Sequence, residues 1–121
     1  MLSGSPATRV FLASGATDMR KSFDTLTALV RNDLGGDPVS GHLYAFCNKR
    51  RDRIKVLYFD GSGLWVCAKR LERGTFAWPD AHTRSIELRR EEMVALLGGL
   101  DLNASRRRRW YRVSELSTNS A

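Results

Sequence analysis

The side chains whose types and spacing could do chemistry are short runs of arginine and lysine. Lys49-Arg50-Arg51-Asp52-Arg53 sets four positive groups against one negative, and Lys69-Arg70-Leu71-Glu72-Arg73-Gly74 repeats the pattern with Glu72 tempering it. Arg106-Arg107-Arg108-Arg109-Trp110-Tyr111-Arg112 is the densest run. A guanidinium is a planar fork that holds a phosphate or carboxylate through two hydrogen bonds, whereas an ammonium acts as a point charge. Sixteen arginines against four lysines therefore point to a polyanionic partner, with nucleic acid first. Trp110 and Tyr111 add ring faces that can stack on bases or cover an apolar surface. Contacts to DNA are expected at Lys49, Arg50, Arg51, Arg53, Lys69, Arg70, Arg73, Arg106, Arg107, Arg108, Arg109 and Arg112. Each run also has a plainer reading. Charges on a turn keep a sheet edge soluble, and arginine tails bind acidic proteins as readily as DNA.

The distribution of charge supports a localised surface. Residues 1–48 hold four basic and four acidic groups, while residues 49–121 hold sixteen and nine, so the whole excess of +7 lies in the second part. A soluble, arginine-rich protein with no polyanionic partner would carry the same excess.

Catalytic constellations are harder to find. Gly61-Ser62-Gly63 fits a turn rather than a phosphate loop. His42 and His82 have no cysteine or carboxylate at ligand spacing, so no metal and no cofactor are expected. Cys47 and His82 could form a nucleophile pair only if the fold joined them, and a core cysteine is the simpler reading. A two-metal nuclease needs converging carboxylates. Asp60 is the best single candidate, against a turn residue preceding Gly61. The chain is read as a non-enzyme.

The elements that must position these residues follow from periodicity. Val10 to Ala13 reads as a strand. Asp18 reads as the N-cap of a helix over Arg20 to Leu34, with Phe23, Leu26, Leu29 or Val30, and Leu34 at helical spacing and Gly35-Gly36 as its stop. His42 to Asn48 alternates Leu43, Ala45 and Cys47 against His42, Tyr44 and Phe46. Ile54 to Asp60 alternates Ile54, Val56 and Tyr58 against Lys55, Leu57 and Phe59. Leu64 to Leu71 is a third such run, and the connections have hairpin length. Further strands are expected at Thr75 to Trp78 and Ser85 to Leu88. Arg89 to Leu97 reads as a helix with Glu91 and Glu92 in its first turn. The fold class is α+β: a central antiparallel β-meander with two main helices packed against it. One domain is expected over residues 1–103, and residues 104–121 form a basic, mobile tail. With 42% hydrophobic residues the chain can build a core. Two cysteines in apolar runs, no signal-like start and no apolar run near the ~20 residues of a membrane span place it in the cytoplasm.

Read in order, Thr17-Asp18-Met19-Arg20-Lys21, Ser40-Gly41-His42-Leu43-Tyr44-Ala45-Phe46, Asn48-Lys49-Arg50-Arg51-Asp52-Arg53-Ile54-Lys55, Asp60-Gly61-Ser62-Gly63 and Lys69-Arg70-Leu71-Glu72-Arg73-Gly74-Thr75-Phe76-Ala77-Trp78-Pro79 resemble one family. It is the TnpB, or Orf2-like, accessory protein of IS66-type bacterial insertion sequences. The resemblance spans about Val10 to Leu102, with Leu96-Leu97-Gly98-Gly99-Leu100-Asp101 similar to its closing helix. Ser22 and Phe59 depart from the glycine and tryptophan common there. The resemblance implies a protein encoded beside a larger, separate transposase and needed for efficient transposition. Two partners are therefore expected: DNA, held through the basic runs, or the transposase, docked through Trp65, Trp78 and Trp110. A third possibility is RNA laid on the sheet aromatics Tyr44, Phe46, Tyr58 and Phe59.

Overall fold

The structure, a computed structural model, describes residues 8–98. The expected basic tail, with Arg106 to Arg109, Trp110 and Arg112, lies outside the described residues.

Two runs of strict alternation build the centre. Strand β2 (Leu43–Cys47) pairs antiparallel with β3 (Arg53–Phe59), and β3 with β4 (Leu64–Arg70). These three form the expected meander. Strand β1 (Val10–Ala16) joins on the other side of β2, but parallel to it, and β5 (Ser85–Leu88) pairs antiparallel with β1. The order is β4-β3-β2-β1-β5, a mixed sheet rather than an antiparallel one throughout. The helical segment between β1 and β2 is the reason. A crossover returns the chain to the end where β1 began, so the next strand must run the same way.

That crossover begins later than the helical spacing suggests. Helix α1 covers Phe23–Leu29, with Ser22 as its N-cap; the Ser22 N–H donates to Thr25 Oγ1 at 2.9 Å. Asp18 instead closes a turn, accepting the Arg20 N–H at 2.9 Å. Val30–Leu34 continues α1 as one π-type turn, stopped by Gly35 at φ 67, with Gly36 N–H donating to the Val30 carbonyl at 2.9 Å. The second helix, α2, covers Arg90–Leu97, with Glu91 and Glu92 against its positive end.

The period of two sorts the side chains onto two covered faces. One core holds Leu12, Leu43, Ala45, Cys47, Ile54 and Val56 with Phe76 and the α2 residues Met93 and Leu96. The other holds Tyr44, Phe46 and Leu57 with Leu26 of α1 and Val30. The helices therefore lie on opposite faces, and every residue of β2 is buried. This removes the sheet-face reading for RNA, because Tyr44 and Phe46 are interior and Tyr58 and Phe59 half-buried.

Thr75 to Trp78 is not a strand. Phe76 N–H donates to the Arg51 carbonyl at 2.7 Å and Trp78 Nε1 to the Ala13 carbonyl at 2.9 Å, so single bonds strap the segment across the sheet end.

Tyr44 ties the crossover to the sheet, since its hydroxyl donates to the Asp37 carbonyl at 3.1 Å and accepts the Asp37 N–H at 3.2 Å. A Cβ on Gly36 would stand 2.8 Å from that hydroxyl and 2.9 Å from the ring. Gly36→Ala is therefore expected to cost about 1–3 kcal/mol, the usual range for overpacking. Urea unfolding is the check, and an unchanged midpoint would mean that the Tyr44 ring yields freely.

Candidate nucleic-acid interface

Two loops and three strand ends converge at the end of the sheet where β1, β2 and β4 finish and β3 starts. They enclose a groove of about 580 Å³ lined by Ala16, Thr17, Asp18, Met19, Arg20, Asn48, Lys49, Arg50, Asp52, Arg53 and Arg70. A smaller hollow of about 350 Å³ continues it past Arg53 and Arg70 toward Lys55, Lys69 and Glu72.

Asn48 shapes the β2–β3 turn. Its Oδ1 accepts the N–H groups of Asp52 and Arg53, each at 3.0 Å, and its Nδ2 donates to Asp52 Oδ1 at 2.6 Å. Arg51 takes the left-handed conformation at φ 62. The turn is no free protrusion: the Leu71 N–H donates to the Asp52 carbonyl at 2.8 Å, and Phe76 bonds Arg51 as described.

This geometry divides the basic residues. Arg51 turns inward, its guanidinium 5.8 Å from the Trp78 ring centre and its Nη1 donating to the Asn48 carbonyl at 3.3 Å. Lys69 donates to the Leu97 carbonyl at 2.6 Å, at the negative end of α2, and desolvation there lowers its pKa below the ordinary lysine value. Arg73 is exposed on the loop after β4. Lys49, Arg50, Arg53 and Arg70 are exposed at the groove.

Among the described residues, Lys49, Arg50 and Arg53 make no salt bridge, and Arg70 has only the exposed Glu72 at 3.2 Å. Arg53 and Arg70 are direct cross-strand partners. The Asn48 N–H donates to the Arg53 carbonyl, so Arg53 bonds toward β2 and faces Arg70 as a non-hydrogen-bonded pair, the closer kind. Like charges placed so repel. The Asp52 carboxyl is held below its ordinary pKa, first by the Asn48 side chain and then by the Arg50 and Arg53 charges.

The sequence reading missed Arg20. The turn after β1 carries it to the groove, paired with Asp18 at 2.6 Å, which lowers the Asp18 pKa to about 2. Lys55 Nζ donates to the Lys21 carbonyl at 2.8 Å and pins that turn. The motif Thr17 to Lys21 stood in the sequence, but nothing local said which strand end it would meet.

Asp60 is a turn residue here. Its Oδ1 accepts from Ser62 N–H at 2.9 Å, Ser62 Oγ at 3.1 Å and Gly63 N–H at 2.9 Å, and its Oδ2 from Trp65 Nε1 at 2.7 Å. Those bonds, led by the Ser62 N–H, hold its pKa far below the ordinary carboxylate value. A depressed folded-state pKa contributes stability that is present above the unfolded value, near 3.8, and lost as pH falls through the folded one. Asp60→Asn is accordingly expected to melt below wild type at neutral pH, with the gap narrowing as pH falls below about 4. Melting temperatures measured against pH check this, and a gap constant with pH would rule out the carboxylate as its source. Cys47 is interior, with burial raising its thiol pKa, while His82 is exposed. Among the described residues no group of three His, Cys, Asp or Glu could hold a metal ion, and no helix is long and apolar enough to cross a membrane.

A mixed sheet with a helix on each face, and Arg20, Lys49, Arg50, Arg53 and Arg70 gathered at one end, defines a small α+β protein with a basic groove. The chain belongs to the IS66 Orf2-like protein family, whose family model matches residues 8–107, and it is thereby an accessory protein of insertion-sequence type. It is 37% identical over 101 residues to the uncharacterized protein y4hO of Sinorhizobium fredii, covering 84% of this chain and 88% of that one. It is 34% identical over 108 residues to the uncharacterized protein y4jC of the same organism, covering 89% and 92%. No solved structure matches the chain.

Proposed function

We propose that this chain is a non-catalytic accessory protein that supports DNA transposition by binding the DNA phosphate backbone in the groove at the end of the sheet. The close Arg53–Arg70 pair carries the reading. Two arginines set directly opposite on neighbouring strands, with Lys49 and Arg50 lining the same groove, repel one another less once a phosphate sits among them. Proteins that neutralise phosphates release counterions, so affinity falls linearly in logarithm with salt, by about 0.9 per phosphate for duplex DNA. Fluorescence anisotropy with a labelled duplex, across a range of potassium chloride, tests this. A steep negative slope is expected, and no binding at low salt would end the proposal.

A second reading is an adaptor that docks on the separate transposase. Trp65 favours it: the residue is 45% exposed, and its indole N–H is fixed by Asp60, leaving a preorganised ring face. Under that reading the chain captures the transposase without binding DNA directly, and Trp65→Ala abolishes that capture in a pull-down.

A further inference from the structure

Strand β4 forms one edge of the sheet. Its outward-facing groups can be assigned from the bonds that bracket it. Asp60 N–H donates to the Gly63 carbonyl at 3.0 Å and Leu71 N–H to the Asp52 carbonyl at 2.8 Å. The register between these points is unbroken. Hydrogen-bonded pairs therefore fall at Trp65, Cys67 and Lys69, and the N–H and C=O groups of Leu64, Val66, Ala68 and Arg70 point away from β3.

Proteins block such an edge with proline, a bulge, shortness or a lysine that makes pairing costly. Seven residues of β4 run with no proline and no register shift. Its lysine, Lys69, is turned to the end of α2. The opposite edge, β5, has four residues.

We infer that β4 pairs antiparallel with β4 of a second copy of this chain, about a two-fold axis at Cys67, so that one sheet runs through both chains. A two-fold contact must be self-complementary. Centring it at Cys67 sets Leu64 opposite Arg70 and Val66 opposite Ala68, which pairs every outward group of the strand. The same register sets Lys69 opposite the exposed Trp65 in both halves, the apolar lysine stem beside the ring while its ammonium stays on the Leu97 carbonyl. Moving the axis to Lys69 would face two lysines and shorten the overlap. The small residues Val66, Cys67 and Ala68 at the centre let the backbones approach. The two Cys67 residues would form a non-hydrogen-bonded pair with Cα atoms about 4.5 Å apart, within the span of a disulfide.

The test uses sedimentation velocity on the full chain, from micromolar to sub-millimolar concentration. Wild type is expected to dimerise. Ala68→Pro removes an N–H that the single chain does not use, at an edge position where proline is tolerated. The same N–H serves both halves of the dimer, so association should weaken roughly thirtyfold while the melting temperature of the dilute protein holds. As a second measurement, mild copper–phenanthroline oxidation should trap a disulfide-linked dimer that Cys67→Ser abolishes and Cys47→Ser leaves intact. A wild type that stays monomeric throughout overturns the inference. So does an Ala68→Pro variant that folds and dimerises as tightly as wild type, or a cross-link that runs through Cys47.

Discussion

Replacing Lys49, Arg50, Arg53 and Arg70 together with alanine is expected to remove most of the salt dependence of DNA binding without destabilising the fold. Each phosphate contact contributes about 0.9 to the slope of log affinity against log salt, so four lost contacts flatten it by about 3.6. Over a fourfold rise in salt, wild type then loses roughly a hundredfold more affinity than the variant. Stability should move the other way, if at all. The Arg53–Arg70 pair opposes folding in the free protein, so its removal should hold or raise the melting temperature. Lys69→Ala and Arg51→Ala are the contrasting variants. Those side chains hold the end of α2 and the Trp78 ring, so their loss should lower the melting temperature and leave the slope nearly intact. Should the quadruple variant keep the wild-type slope, the groove does not hold DNA.

The division among these cations shows what the sequence could not display. Lys69 and Arg70 are neighbours in one basic run, yet strand alternation sends them to opposite faces of the sheet. One meets a helix end and the other the groove. Arg51 sits inside the densest charge cluster of the β2–β3 turn, and its role depends on Trp78, which only the fold brings beneath it. By contrast, the alternation in β2 and β3 was legible residue by residue. Leu43, Ala45, Cys47, Ile54 and Val56 line one core, while Tyr44, Phe46 and Leu57 line the other. Periodicity reports which side chains share a face, not which strand lies beside them or in what direction. The parallel β1–β2 pairing therefore had no local signature. Helix spacing ran through Leu34 because the apolar residues keep their face through the π-type turn. The N-cap shifted from Asp18 to Ser22 because Asp18 is bound in a turn with Arg20.

Phe46→Ala is expected to be the most damaging single change to the fold. Phe46 is fully buried in the central strand, among Leu26 and Val30 from the crossover and Leu57 from β3. Strands pair with β2 on both sides and both of its faces are covered, so the surroundings cannot collapse into the space left behind. Removing a phenylalanine from such a site costs about 3–5 kcal/mol, the lost transfer free energy plus the cavity. Whole domains are stable by only about 5–15 kcal/mol. In a domain of this size each kcal/mol shifts the melting temperature by about 4–8 °C, so a drop of roughly 12 °C or more should follow. Phe23→Ala separates this from a general aromatic effect. Phe23 opens α1 but is 46% exposed, so its truncation should change the melting temperature by a few degrees at most. Calorimetry on the two variants side by side decides the matter. Comparable losses would mean that the α1 face is held by the helix start, and not by the Phe46 cluster beneath it.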